Sequence, residues 1–433
     1  MIDRLPTQPG EWIDRSQRIE FQFEGRTYSG FAGDTISTAL WANGVRVLGR
    51  SFKYHRPRGV WGLADLDCNA MVESQDGTNI RADLTPISQG LNLKAVNTLG
   101  GVDRDFGALM GRFSAFLPVG FYYKAFHTPR RLFPFYEQSM RKMAGLGKVN
   151  SRRPLIPTPK RYDFCDVLVV GAGPAGLSAA VAAAECGLQV ILVDENGRAG
   201  GSLAYQGSRD SEASRLRADL PERARALKTL ELRTATLAAG YYADHWIALV
   251  DPVRMTKLRA KTVVVATGCY EQPAVFRNND LPGVILASAA QRLIHQYGVR
   301  PFKEVVVLAA NSHAYRAALD FLAVGITVVA IADLRPQGEP SALANDAKAA
   351  GLPIHNGTAV YEAVPGSGQP QLGKTVLCGL DSEGRPRLDK LIPVACDGLA
   401  MSVGWAPADG LLRQAHARMR YSPELEQYVP ESL

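Results

Sequence analysis

F-C-D-V-L-V-V-G-A-G-P-A-G-L-S-A-A-V-A-A-A-E-C-G-L-Q-V-I-L-V-D-E-N-G-R, Phe164 to Arg198, is the stretch that decides the fold. An apolar run, Val167 to Val170, leads straight into Gly171, Gly173 and Gly176. A small-residue helix follows, and a second apolar run, Val190 to Val193, ends on Asp194. The pattern predicts a strand, a tight glycine turn, a helix and a second parallel strand. Gly171 permits the sharp turn. Gly173, lacking a side chain, lets a pyrophosphate approach the backbone and the positive end of the helix. Gly176, with Ala179 and Ala180, keeps the helix close to the sheet. Asp194 stands where a carboxylate accepts both hydroxyls of an adenosine ribose. A glycine turn kept only for packing would not explain the Gly200-Gly201 doublet, placed to pass the same pyrophosphate. The candidate cofactor-binding residues are therefore Gly171, Ala172, Gly173, Pro174, Ala175, Gly176, Asp194, Glu195, Gly200 and Gly201.

Downstream, Ser208 to Lys228 reads as a charged helix and Leu230 to Leu249 as sheet. K-T-V-V-V-A-T-G-C-Y-E-Q-P, Lys261 to Pro273, is an apolar strand ending in small residues. It resembles the return strand of two-dinucleotide disulfide-reductase-type flavoproteins, which adds Ala266, Thr267 and Gly268 to the candidate set. Cys269 has neither a C-x-x-C partner nor a flanking histidine and reads as a packed thiol. From Glu304 the strand–turn–helix–strand order repeats and ends at Asp333, but Ala309, Asn311 and Ala314 replace the glycines. Asn311 points a side chain toward the place of a pyrophosphate, so this second unit reads as a structural remnant. Leu343 to Ala350 reads as a helix and Tyr361 to Leu380 as a hairpin. Leu391 to Ala400 returns to strand and contributes Asp397 as a last candidate.

Upstream, residues 18 to 28 alternate about Gly25 as a β-hairpin. Gly33-Asp34-Thr35 offers a cap to a short helix carrying Ile36, Ala39 and Leu40 and ending at Asn43-Gly44. A hairpin followed by a helix is how a β-grasp domain begins. Arg50 to Gly62, R-S-F-K-Y-H-R-P-R-G-V-W-G, is basic, aromatic and closed by Pro57 and Gly59, so it reads as an ordered loop. Phe116 to Pro129 is a dense aromatic cluster suited to a core between domains or to a surface covered by a partner. Lys148 to Lys160, with three prolines, reads as a connector.

Bulk properties narrow the function. The 433 residues are 46% apolar and 21% charged, with a formal charge of +7, and carry no aromatic–basic repeat of a nucleic-acid track. The apolar stretches are too short or too broken to span a bilayer, and the N-terminus lacks a signal peptide's segments. Cys68, Cys165, Cys186, Cys269, Cys378 and Cys396 are scattered singly, which fits reduced thiols and a cytoplasmic location. No nucleophile elbow, H-E-x-x-H or metal cluster is visible, so catalytic residues stay unassigned and no metal ligand is expected. The fold class expected is multidomain α/β and α+β, a β-grasp followed by a two-dinucleotide-domain Rossmann fold. The expected bounds are 1–100 (β-grasp), 101–160 (aromatic and basic connector), 161–285 (first Rossmann-type domain), 286–390 (inserted second Rossmann-like domain) and 391–433 (return to the first).

The S-F-K-Y-H-R-P-R-G loop, F-L-P-V-G-F-Y-Y-K at 116–124, the glycine-poor N-S-H-A-Y-R-A-A turn and A-C-D-G-L-A followed by S-V-G-W-A-P together resemble the alpha subunits of heterotetrameric sarcosine oxidase. They resemble, more distantly, subunits of opine and proline dehydrogenases and hydrogen cyanide synthase. One position departs: Val403 stands where those chains carry a glycine. The resemblance implies an N-terminal domain related to small [2Fe-2S] ferredoxins, whose cluster cysteines follow the basic loop. Here Val60 to Val72 holds Cys68 alone, so the domain is expected to keep the fold without an iron–sulfur cluster, which needs four ligands. The resemblance further implies NAD in the first glycine turn, with FAD as the alternative. It implies FMN at a subunit interface and a beta-type FAD-binding partner that oxidises the amine. The reaction implied is oxidative demethylation of a secondary amino acid such as sarcosine, with this chain as NAD site, scaffold and interface. An FAD-binding dehydrogenase subunit and a non-catalytic scaffold are the other readings. Relatives continue with an A-G-A-x-x-G segment and a folate-binding region, so the chain reads as a fragment or a shorter homologue.

Overall fold

The computed structural model describes residues 2–51, 53–64, 67, 70–75, 77–109, 111, 128–143, 158–206 and 211–432. Cys68, nearly all of the aromatic stretch from Phe116 and most of the connector from Lys148 lie outside them. The chain forms two compact units, one made of Met1–Pro154 and Pro273–Val403, the other of Leu155–Gln272 and Gly404–Leu433.

The second of these carries the quoted glycine stretch. Its six-stranded sheet runs Leu230–Arg233, Val190–Val193, Lys160–Val170, Met255–Val265, Trp246–Val250, Leu237–Tyr242. The first four strands are parallel and the last two join antiparallel as a meander. Val167 to Val170 is apolar without alternation because both sheet faces are covered. Val167 and Val169 pack with Leu177, Ala180 and Val181 of the helix Pro174–Glu185 and with Leu220 and Ala224 of the helix Ser211–Ala226. Leu168 and Val170 point the other way, packing with Ile247 and Leu249 of the meander and with Leu258 of the strand Met255–Val265.

One ion-pair network crosses this sheet. Arg233 donates to Asp163 at 2.6 Å and to Glu231 at 2.8 Å. Burial acts to raise the Asp163 carboxyl, but donation from Arg233 outweighs it and holds it below the usual carboxylate range. For Glu231 the Arg233 hydrogen bond is the leading cause of a lowered value. Both groups bind a proton more weakly folded than unfolded. Their contribution is therefore complete above about pH 5 and lost as pH falls through the folded values. Arg233→Met is expected to lower Tm at pH 7 and to flatten the acid limb of the Tm–pH curve. An equal Tm loss at every pH would contradict this.

In the other unit, Asp14–Phe23 and Arg26–Ala32 form the hairpin, closed by Glu24 and Gly25, both at positive φ as a tight hairpin turn requires. Thr35 caps the helix Ile36–Ala42 in a reciprocal box with Thr38, and the helix ends on Asn43. Asp14–Phe23 then pairs parallel with Asn92–Ala95, giving a sheet of β-grasp type. The second Rossmann-like part is a five-stranded parallel sheet in the order Val284–Leu286, Gly398–Ser402, Glu304–Ala309, Thr327–Asp333, Ile354–Asn356. An antiparallel sheet of Thr358–Pro365, Leu372–Leu380 and Pro386–Ala395 follows.

These two parts share one core. Trp41 is fully buried and donates its indole N–H to the Pro301 carbonyl, and Arg56 holds Asp280 bidentately at 2.7 and 2.8 Å. The chain passes between units after Gln272 and again after Val403, where the sequence placed these steps at 285 and 390. The reason is strand pairing: Val284–Leu286 and Gly398–Ser402 hydrogen-bond into the second sheet, not the first. Among the described residues, no helix is long and apolar enough to cross a membrane.

Candidate functional site

At the end of Lys160–Val170 the chain turns through Gly171, whose φ is +103° and whose N–H donates to the Val193 carbonyl at 2.8 Å. A Cβ on Gly171 would lie 2.3 Å from the Ala266 carbonyl oxygen, so only glycine fits. Gly173 is the N-cap of Pro174–Glu185, and no side chain caps that helix. A Cβ there would meet nothing nearer than Gly201 Cα at 3.9 Å, so Gly173 faces open space at the positive helix end. Pro174 fills the first helical position, where a missing N–H costs nothing. Gly176 is enclosed: a Cβ would sit 1.8 Å from the Gly171 carbonyl oxygen. Ala172 is fully buried, and Ala175 is exposed.

The glycine doublet closes over the turn. Gly200 donates its N–H to the Ala172 carbonyl at 2.8 Å, and a Cβ on Gly201 would come within 2.7 Å of Gly173 Cα. Ala266 donates to the Val170 carbonyl at 2.8 Å, and its carbonyl abuts Gly171. Thr267 donates its hydroxyl to the Ala408 carbonyl at 2.7 Å, and the Ala408 N–H returns to Gly268 at 3.0 Å. The structure thus gathers Gly171 to Gly176, Asp194, Gly200, Gly201 and Ala266 to Gly268 at one end of the sheet, with Ala408 as an added neighbour. The result is a backbone-lined cradle with an uncapped helix end, equipment for an anionic, extended ligand.

Asp194 is buried, and its carboxylate is largely engaged already. Oδ2 accepts the Ala172 N–H at 2.6 Å; Oδ1 accepts both the backbone N–H and the side-chain amide of Asn196, at 2.8 and 2.9 Å. Three of the roughly four acceptor positions of a carboxylate are thereby used. Glu195 is exposed beside it. Asn196 was not among the expected site residues, although an Asp whose side chain accepts the N–H two residues on closes a turn of a kind that the Asp-x-Asn spacing signals.

Asp397 does not join the group. It belongs to the other unit, where its carboxylate accepts the N–H groups of Lys303 and Glu304 at 2.8 to 3.1 Å, at the amino ends of the strands. Ligands of open α/β sheets sit at the carboxyl ends. Cys269, expected as a packed thiol, is exposed on the short strand Cys269–Glu271, which pairs with Trp405–Pro407. A cavity of about 440 Å³ lined by Tyr162, Tyr242, Trp246 and Lys257 opens on the meander, away from the glycine turn.

The second, glycine-poor turn is built differently. Asn311 caps the helix Ser312–Ala323 with its own side chain, accepting from His313 and Ala314, and Ser402 donates to the same oxygen at 3.1 Å. The strand-end acid Asp333 is fully buried and accepts from Tyr315 at 2.6 Å and from Arg335 at 2.7 to 2.9 Å. Burial works to raise the Asp333 carboxyl, but the Arg335 and Tyr315 donors keep it lowered. Asn311→Ala is expected to cost about 1 kcal/mol through the lost cap. Chemical denaturation of the purified chain reads this directly, and an unchanged midpoint would contradict it.

In the N-terminal module, the loop after the basic segment turns its backbone inward. The N–H groups of Trp61, Gly62 and Leu63 all donate to the buried carboxylate of Asp67, at 2.5 to 3.1 Å. Among the described residues, no group of three or more His, Cys, Asp or Glu side chains is arranged to hold a metal ion.

Comparison with known proteins places these parts. Residues 16–98 match the 2Fe-2S iron-sulfur cluster binding domain family, and residues 166–242 match the FAD dependent oxidoreductase family. The expectation of a module without a cluster is corrected. The N-terminal module matches a cluster-binding family, where no iron–sulfur cluster was expected, and the nucleotide module matches an FAD-dependent family, which is the alternative to the NAD first expected there. The β-grasp class itself was expected; what the thiol count in one loop did not decide was the cluster. The described residues offer no ligand set for a cluster. The chain is 36% identical over 348 residues to a sarcosine oxidase subunit alpha of Rhizobium meliloti (strain 1021), covering 75% of this chain and 35% of that one. It is 30% identical over 458 residues to the subunit alpha from Corynebacterium sp. (strain P-1), covering 99% of this chain and 42% of that one. The L-proline dehydrogenase structure from P. horikoshii shares the fold, with a TM-score of 0.64 at 18% identity, covering 98% of this chain and 68% of that one. The chain thus spans well under half the length of the two sarcosine oxidase subunits it matches. Over most of its own length, it is homologous to the sarcosine oxidase alpha subunits.

Proposed function

We propose that this chain is the dinucleotide-holding, alpha-type subunit of a heteromeric oxidoreductase acting on a secondary or N-methyl amino acid, and that its first glycine turn holds FAD. The observation that carries this is the open cradle at Gly173, an uncapped helix end between Gly171 and Gly201, in a chain homologous to sarcosine oxidase alpha subunits. A bound flavin dinucleotide supplies a two-electron acceptor. The chain's own part is to hold the pyrophosphate on the N–H groups after Gly173 and the ribose on Asp194. Ala266 to Gly268 wall the cradle on the side of the strand Met255–Val265. The second turn, capped by Asn311 and with Asp333 engaged by Tyr315 and Arg335, is proposed to carry no dinucleotide. The amine-oxidising pocket is assigned to a partner chain, because the gathered residues are glycines, alanines and Pro174 with their backbone groups, a Thr267 hydroxyl that donates to Ala408, and one engaged carboxylate.

The test is native purification with partners retained, followed by subunit mass analysis and sarcosine-dependent reduction of an electron-accepting dye. The expected result is an assembly of unlike chains that reduces the dye, with this chain alone inactive. Amine oxidation by this chain alone would contradict the division of labour. An assembly that reduces dye with no secondary amine would contradict the reaction.

A further inference from the structure

The acid at the end of Val190–Val193 is held by a neighbour that no ligand contact requires. Asn196 gives Asp194 Oδ1 two hydrogen bonds, from its backbone N–H at 2.8 Å and its amide Nδ2 at 2.9 Å. Asn196 is itself fixed, since its carbonyl accepts the Ala235 N–H at 2.8 Å, and the Asp194 carbonyl accepts the Thr236 N–H at 2.8 Å. Oδ2 is anchored from the opposite side by Ala172 in the glycine turn, at 2.6 Å. The carboxylate plane is therefore clamped at both oxygens, and a single acceptor direction stays open, on Oδ2.

We propose that Asn196 is a positioning residue that clamps Asp194 so that this acid accepts one ribose hydroxyl of the adenosine half, in a fixed direction, and not both. The inference rests on the dinucleotide reading of the first glycine turn. Without the Nδ2 donor, the carboxylate is held by two backbone hydrogen bonds in place of three, on Oδ1 from Asn196 and on Oδ2 from Ala172, and its last torsion is less tightly fixed. Orientation that is pre-set in the wild-type chain then has to be fixed at the moment of binding, and affinity falls accordingly.

The experiment titrates the full chain, freed of bound nucleotide, with ADP, 2′-deoxy-ADP and 3′-deoxy-ADP in the wild-type, Asn196→Ala and Asn196→Asp forms. In the wild type, deletion of one of the two hydroxyls is expected to weaken binding and deletion of the other to leave it nearly unchanged. Asn196→Ala is expected to weaken ADP about fivefold, the worth of one hydrogen bond to a charged group felt indirectly. It should leave unchanged the analogue that lacks the accepted hydroxyl. Asn196→Asp sets a second carboxyl against Oδ1, so ADP binding at pH 7.5 falls further. It recovers toward pH 5, where the pair shares a proton that replaces the amide donor. Equal losses for all three nucleotides, or no pH-dependent recovery, would reduce Asn196 to a structural residue and overturn the proposal. Equal losses from deleting either hydroxyl in the wild type would overturn the single-acceptor claim. Absence of any ADP binding to the wild-type chain would instead bring down the dinucleotide reading itself.

Discussion

Gly173→Asp is expected to abolish dinucleotide binding while leaving the fold intact. The backbone at Gly173 is extended, with φ −74° and ψ −176°, which any residue adopts. An added Cβ meets only Gly201 Cα, at 3.9 Å. Aspartate is moreover a preferred N-cap, so its carboxylate would satisfy N–H groups at the helix start and hold or raise Tm slightly. That same carboxylate stands where a pyrophosphate would lie, and like charges placed together cost several kcal/mol. Affinity for FAD or ADP is therefore expected to fall at least about a hundredfold, read by calorimetry beside a melting curve. Gly176→Ala makes the contrast: its Cβ would overlap the Gly171 carbonyl oxygen at 1.8 Å, so binding is lost there because the unit misfolds. Retained affinity in Gly173→Asp would remove the site.

Asp34→Ala is expected to cost about 3–5 kcal/mol, the usual range for breaking a buried charge pair by removing one partner. Asp34 is fully buried and accepts from Arg4 at 2.7 and 3.2 Å, from the Phe31 N–H at 2.9 Å and from the Thr38 hydroxyl at 2.9 Å. Its removal takes the carboxylate partner from Arg4, whose side chain is only 7% exposed and keeps its donation to the Tyr297 carbonyl, and takes a partner from the hairpin's end and the helix's start together. The double variant Arg4→Met/Asp34→Leu, which removes both charges, should recover much of the loss. A single variant with an unchanged denaturation midpoint would show that the pair is not coupled to folding.

What could be read from residues alone was what the backbone itself demands. Gly171 and Gly176 are glycines because of a positive φ and a 1.8 Å overlap, constraints that leave a mark in sequence. The Thr35 cap and the Gly25 turn were legible for the same reason. Strand membership was not: Val284–Leu286 and Gly398–Ser402 are short apolar runs that look alike whichever sheet they enter, so the points where the chain changes units were misplaced. Asp397 showed only that an acid follows a strand, not that it sits at the amino ends of its neighbours. Asp194 was visible as a strand-end acid, but its commitment to Ala172 and Asn196 depends on a loop closing across the glycine turn. The kinship of the N-terminal module with [2Fe-2S] ferredoxins was legible in its hairpin and basic loop, whereas the expected loss of the cluster rested on one thiol in one loop and is what the family match corrects.

The most direct measurement is acid release of cofactor from natively purified protein, separated by chromatography and assigned to a subunit by mass. FAD is expected on this chain at one equivalent and is expected to be missing from the Gly173→Asp form. A chain that carries no dinucleotide, or FAD that survives Gly173→Asp unchanged, would contradict this.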